Sequence, residues 1–400
     1  MTGQLGAEIN LLDRQIYTDG SYLDRFRWLR DNDPVSWHEH PNGRGFWNIV
    51  RYDDVSFAAR SPEIFSSETG GVLLVGHDEG GWEGLPDPRG KQLIMMDPPR
   101  HAKYRKVLST EFTPRAVSKM EAALRARATR LVDAAIGREQ CDFLEDIATE
   151  VPLSVIADMM GVPASDRSQL ITWVLGIMAS EPAAMESFLE YAESLARERM
   201  SVPGQDLVSQ LVRAEVGGTG LSLEEVKLFL FLLTGAATEA PRSAISLGMA
   251  TLLEHPASWA ALQRDRTLLP RAVDEILRWT TPTMMFRRTA THNIELSGQL
   301  IAKGDKVVIW FASANRDERV FLRPDEFDIS RHPNRHLTFG IGPHHCLGAG
   351  LARLELTTVL DALLDKVDRI ELTEPVVTWV NEVFVRSVVS MPVIIRPRDQ

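Results

Sequence analysis

Cysteine is scarce: only Cys141 and Cys346 occur in 400 residues. Two thiols exclude a disulfide framework and leave too few ligands for a cysteine-rich zinc or iron–sulfur centre. Long apolar runs are missing as well. The best candidate, VKLFLFLLTGAA at 226–237, contains Lys227 and falls well short of the roughly 20 residues that a bilayer demands. The N-terminus, MTGQLGAEINLLDRQ, has neither the basic start nor the apolar stretch of a signal peptide, so a cytoplasmic protein with no membrane span is expected. Basic residues are outnumbered, 44 against 55 acidic, for a net charge of −11. That balance argues against nucleic acid, although a local basic patch for an acidic protein partner stays open. No repeat, low-complexity tract or Ser/Gly linker divides the chain, so one domain over residues 1–400, acting as a monomer, is the expectation.

What is present is mostly helical periodicity. From about Pro99 to Trp279 apolar residues recur at spacings of three and four, most clearly over Val117–Ala135, Pro182–Arg199, Ser222–Leu253 and Pro270–Trp279. One more helix is expected over Gly348–Leu364. The segments FWNIVRY (46–52), ATHNIELSG, QLIAKGDKVVIWFAS and VRSVVSMPVIIRP read as β structure. The fold class is therefore mainly α with a smaller β-rich part drawn from both chain ends. A Gly-, Asp- and Pro-rich stretch from Gly70 to Gly90 reads as a long loop, and such loops are often functional.

The most informative stretch is Phe339-Gly-Ile-Gly-Pro-His344-His345-Cys346-Leu-Gly348-Ala-Gly350. Glycines and a proline ahead of the cysteine suit a tight turn that aims a sulfur in one direction. Gly348 and Gly350 leave room for a flat ligand. The helix that follows favours a thiolate through its N-terminal dipole. Taken alone, Cys346 also fits a buried structural cysteine, or a nucleophile served by His344 or His345. Neither accounts for the Phe-Gly-x-Gly-x-His-x-Cys-x-Gly spacing.

That spacing resembles the haem-binding loop of the cytochrome P450s. The resemblance implies the cytochrome P450 fold, haem b, and Cys346 as the axial thiolate ligand of the iron. It extends over roughly residues 10 to 397. Glu275 and Arg278 are similar to the family's structural Glu-x-x-Arg pair. His101, Arg105 and Arg288 resemble its propionate-binding residues, His344 the cofactor-loop histidine two before the cysteine, and Phe339 the aromatic beside the sulfur; Gly348 belongs to the same cofactor loop. By the same resemblance Ala236, Ala237, Thr283, Met284, Met285, Val383 and Phe384 line the substrate pocket together with the 70–90 loop. The implied partners are an apolar small molecule, O2, and a separate ferredoxin with its ferredoxin reductase, docked near Lys103, Lys106, Arg335 and Arg353.

The sequence departs from the family on the distal helix, Leu233-Thr-Gly-Ala236-Ala237-Thr238-Glu239-Ala240-Pro241-Arg242. Alignment on Arg242-Ser-Ala-Ile245 puts Glu239 on the family's acid, Ala237 on its glycine and Ala240 on its threonine. Thr238 is no substitute, because two residues along a helix turn about 200°. Glu239, Ala240 and Pro241 are thus the candidate catalytic group. Pro241 is expected to kink the helix, since it cannot donate to the Ala237 carbonyl. A monooxygenase is the leading expectation. A P450-type oxidase that couples radicals or uses peroxide is the second, and a haem sensor or carrier the third. The acid at 239 favours an enzyme.

Overall fold

In the computed structural model the described residues are 9–40, 43–75, 79, 87–138, 140–178, 181–381 and 383–398. Helices dominate, and the long ones begin where local chemistry dictates. Thr113 caps Pro114–Ile136 by accepting from the Ala116 N–H, with Pro114 at the first helical position. Ser222 and Glu225 form a reciprocal capping box at the start of Leu223–Glu254, the longest helix. The helices Pro182–Ser201, Leu269–Thr280 and Ala349–Lys366 match the periodic segments closely. The main apolar core gathers Pro114–Ile136, the C-terminal half of Leu223–Glu254, Leu269–Thr280 and Ala349–Lys366.

The β-rich part centres on a five-stranded sheet in the order Val35–His38, Phe46–Ile49, Lys306–Trp310, Met285–Ala290, Phe65–Ser66. Within it only Phe46–Ile49 and Lys306–Trp310 run parallel. A smaller sheet joins Val367–Leu372, Pro392–Pro397 and Cys141–Asp142. Both chain ends therefore contribute strands, as the sequence indicates.

Three local expectations change. The FWNIVRY strand stops at Ile49, because the Tyr52 N–H bonds to Asp317 and opens the helix Tyr52–Arg60. The segment ending in WFAS leaves the sheet at Trp310 and turns into Phe311–Ala314. Asn315 draws the chain away there, bonding through its side chain to Thr281, Thr338 and the Leu337 N–H. The helical stretch is also interrupted by a small hairpin, Glu215–Val216 with Thr219–Gly220. Among the described residues no helix is long and apolar enough to cross a membrane.

Candidate active site

The cysteine loop is built on backbone that favours glycine. Gly340 and Gly342 have φ of +66° and +78°. A Cβ on Gly342 would stand 2.7 Å from the Ala59 carbonyl oxygen, so the loop lies directly against the helix Tyr52–Arg60. The Cys346 N–H donates to the Phe339 carbonyl at 2.8 Å and closes the turn. Cys346 is accessible although much protein surrounds it. Burial pushes its thiol pKa up, while the Gly348 N–H, Arg105 and Arg353 pull it down. Gly348 itself has room, since a Cβ there would find its nearest neighbour, Phe112, 4.0 Å away.

Behind the loop, Arg353 stacks over the Phe339 ring at 4.6 Å and bonds to Asp274 at 2.8 Å. It braces Phe339 while its side chain stays 40% exposed. Lys103, Lys106 and Arg335 are exposed.

Four basic groups from three elements converge beside the cysteine. His101 and Arg105 share one face of the helix Arg100–Ser109. The His101 and His344 rings lie 4.2 Å apart, and Arg105 donates to the His345 carbonyl at 2.7 Å. Arg288 is buried on its strand, with Nη1 on the Arg287 carbonyl at 2.7 Å. Burial, helped by Arg288, His101 and Arg105, depresses His344 to about 2, so the four share one site. Burial, then Arg105, lowers His101 to about 4, and burial lowers Arg288 to about 10. The Nε2 atoms of both histidines are buried without a hydrogen-bond partner. Such a cluster of unmet donors and crowded cations calls for anionic acceptors.

Glu275 and Arg278 are fully buried and joined by two bonds of 2.8 Å. Arg331 and Asn334 add bonds to Glu275 at 3.0 and 3.1 Å, and Arg278 reaches the carbonyls of Asn315 and Pro324. The pair thus ties down the irregular segment that leads into the cysteine loop. Arg331 and Asn334 carry no sequence signal of their own.

On the distal side Leu223–Glu254 runs unbroken through Pro241. Thr238 is buried and its hydroxyl bonds back to the Thr234 carbonyl at 2.8 Å, so it faces away from any distal groove. Ala236 is exposed, Ala237 and Ala240 are half-buried, and a Cβ on Gly235 would meet nothing within 4 Å. The middle of a central helix therefore borders open space. Burial raises the Glu239 pKa, and Arg242 opposes the shift.

The expected pocket residues divide. Thr283 and Phe384 are half-buried and accessible. Met284, Met285 and Val383 are instead packed in a core with Leu11, Tyr17, Tyr22 and Phe26, so they do not line open space. Strand alternation explains Met285, which points away from the face shared by Phe286 and Arg288. Phe286, which sequence reasoning misses, is half-buried on that face. It stacks 5.3 Å from Phe384 and lies under the Arg288 guanidinium at 5.7 Å. Much of the 70–90 loop, at 76–78 and 80–86, lies outside the described residues.

A family model described as Cytochrome P450 matches residues 166–373. The chain is also 34% identical to the steroid C26-monooxygenase of Mycolicibacterium smegmatis, over 91% of this chain and 88% of that protein. The chain is a cytochrome P450. It is similar as well to the methyl-branched lipid omega-hydroxylase of Mycobacterium bovis, at 38% identity over 96% of this chain and 94% of that one. A solved Mycobacterium marinum cytochrome P450 in complex with pseudoionone has a TM-score of 0.87 and 35% identity, covering 96% of this chain and 99% of its own.

As a P450 the protein is a haem-dependent oxidoreductase of the monooxygenase family, which sets aside the sensor or carrier reading. Family members bind haem through a cysteine thiolate to the iron. The residues present fit that group: two unpartnered histidine nitrogens and two arginines suit the two haem carboxylates, and an accessible cysteine at the head of a helix suits the iron.

Proposed function

We propose that this P450 is a monooxygenase in which Cys346 ligates the haem iron, His101, Arg105, Arg288 and His344 hold the propionates, and the substrate is an apolar organic molecule of steroid, terpenoid or branched-lipid size. The observation that carries this reading is the accessible Cys346 beside two arginines and two histidines whose buried Nε2 atoms lack hydrogen-bond partners. Bound haem supplies the reductive activation of dioxygen and the transfer of one oxygen atom to a C–H bond. The chain's own residues set the conditions. Phe286 and Phe384 offer apolar contact, Gly235 and Ala236 leave space along the distal helix, and Glu239 keeps a proton on its carboxyl nearer to neutral pH than an ordinary glutamate does. Ala240 offers no hydroxyl, so the next carrier of that proton is a water or a donor group on the substrate. Electrons come from a separate ferredoxin and its reductase, with Lys103, Lys106 and Arg335 as the exposed cations for docking, and the enzyme works in the cytoplasm as a single-domain monomer.

The named activities of the relatives on steroids and lipids support this substrate class. A screen of steroids, methyl-branched lipids and terpenoid ketones for the spectral change on loss of the iron-bound water tests it. Ligands from these classes should give saturable shifts, and a response confined to small polar molecules would contradict the reading.

A second reading, oxidative coupling without oxygen insertion or peroxide-driven oxidation, is favoured by Ala240 and Pro241 together with the inward-turned Thr238. Turnover under labelled dioxygen separates the two. One labelled atom in the product per turnover supports the monooxygenase, and an unlabelled product, whether coupled, dehydrogenated or carrying oxygen from added peroxide, supports the second reading.

A further inference from the structure

We propose that Arg242 is the positioning residue of the distal helix: it locks the stretch around Ala240 and Pro241 to the turn Leu144–Thr149 and so fixes where the Glu239 carboxyl stands. The inference rests on Glu239 being the distal acid. It starts from a defect. Pro241 has no N–H, so one link of the helix ladder is missing at the Ala237 carbonyl, and helices bend at such points unless side contacts hold them.

Arg242, the next residue, supplies that contact. Its Nε donates to Thr149 Oγ1 at 2.7 Å and its Nη2 to Glu145 Oε1 at 2.9 Å. Thr149 is buried, and its hydroxyl hydrogen is committed to the Leu144 carbonyl at 2.8 Å, which turns its lone pair toward the guanidinium. Leu144–Thr149 is a π-helical turn, a widened form that recurs at functional sites. Two irregular stretches therefore face each other and are joined by one planar, two-pronged side chain. Two hydroxyls patch the same stretch from within, Ser243 onto the Glu239 carbonyl and Ser246 onto the Arg242 carbonyl.

Glu239 and Arg242 are three residues apart and share a side of the helix. The guanidinium is thus divided between Glu145, whose side chain is half-exposed, and the field it exerts on Glu239. Among the described residues no other charged group acts on Glu239. On the elements packed against this helix, Asp158 is paired with Arg127 and Arg167, Glu193 with Lys227, and Asp274 with Arg353. Arg386 bonds to the Tyr22 hydroxyl, and Glu355 is buried in its own helix.

The test uses substrate-free holoenzyme. The infrared band of the protonated Glu239 carboxyl, identified by its loss in Glu239→Gln, is titrated with pH, and hydrogen exchange is followed at the amides of 242–246. In Arg242→Gln the Glu239 midpoint should rise by about one pH unit or more, and exchange should quicken about tenfold. Thr149→Val, which removes one prong without changing the fold, should give a smaller acceleration. Glu145→Gln should lower the Glu239 midpoint, because the guanidinium loses its competing carboxylate. An unmoved midpoint in Arg242→Gln, with or without faster exchange, would reduce Arg242 to an ordinary surface tie and overturn the proposal. A raised midpoint in Glu145→Gln would overturn it as well. Neither readout depends on the substrate or product, so failure here is separate from failure of the monooxygenase reading.

Discussion

The proximal and distal sides of this P450 are built differently. On the proximal side almost every group is held from two directions. Gly342 presses on the Ala59 carbonyl, Cys346 N–H closes on Phe339, Arg353 braces the Phe339 ring, and Arg105 reaches the His345 carbonyl. On the distal side the helix carries Ala237 and Ala240, plus a proline that removes one link of its own ladder. Side chains add to the remaining backbone ladder there, through Arg242, Ser243 and Ser246. The comparison teaches that holding the cofactor demands fixed backbone and fixed charges, whereas the groove over it tolerates change as long as neighbouring side chains restore the geometry.

Substitutions on the proximal side should therefore cost stability or cofactor, and those on the distal side should redirect chemistry. The largest effect is expected at the buried pair. Arg278→Ala leaves the Glu275 carboxylate without its two-bond partner and should cost about 3–5 kcal/mol in chemical denaturation. A loss typical of surface pairs would show that the pair does not hold the segment before the cysteine. Next, His101→Ala and Arg105→Ala should each weaken haem retention by about 1.5–3 kcal/mol, by removing a charged hydrogen bond. Haem transfer to an excess of a competing apoprotein measures this, and normal retention in the double mutant would remove that helix from the site.

A smaller, pH-dependent effect is expected at Glu355 on the proximal helix. Its carboxyl is buried, its Oε2 lacks a partner, and burial raises its pKa to about 8. The folded state therefore keeps a proton that the unfolded chain releases near the ordinary glutamate value. The stability from the protonated form is complete below that ordinary value and is lost as pH rises toward about 8. Glu355→Gln should flatten this decline, raising the melting temperature at pH 8 more than at pH 5. Equal gains at both would show that Glu355 is ionised throughout.

The smallest effect on stability, though not on chemistry, is expected at Ala240. If its missing hydroxyl is neutral for a hydroxylase, Ala240→Thr should leave coupling of electron use to product unchanged or raise it. If the native chemistry depends on its absence, hydroxylated product should rise at the expense of the native one. Ala240→Thr with Pro241→Thr restores the helix N–H together with the alcohol and separates the two causes.

Much of this contrast is legible in the sequence. Helix spans follow from periodicity and caps, and the cysteine loop, His101, Arg105, Arg288 and His344 stand at spacings that a local motif preserves. The inward turn of Thr238 follows from helix geometry alone and holds in the structure. Long-range partners are not legible. Arg331 and Asn334 meet Glu275 across more than 50 residues of chain, and Glu145 and Thr149 meet Arg242 across more than 90. No local pattern encodes such meetings. The pocket is misread for a different reason: Met284 and Met285 stand out for apolarity, which marks core as well as cavity. Alternation along 285–290 is the signal that selects Phe286.

The central claim is that Cys346 is the thiolate ligand of the haem iron, and the spectrum of the reduced carbon monoxide complex tests it most directly. The wild-type protein and Cys141→Ser should both show the strongly red-shifted Soret band of a thiolate-ligated haem. Cys346→Ala should bind haem weakly or not at all and lose that band. Persistence of the red-shifted band in Cys346→Ala, or its loss in Cys141→Ser, would contradict the account.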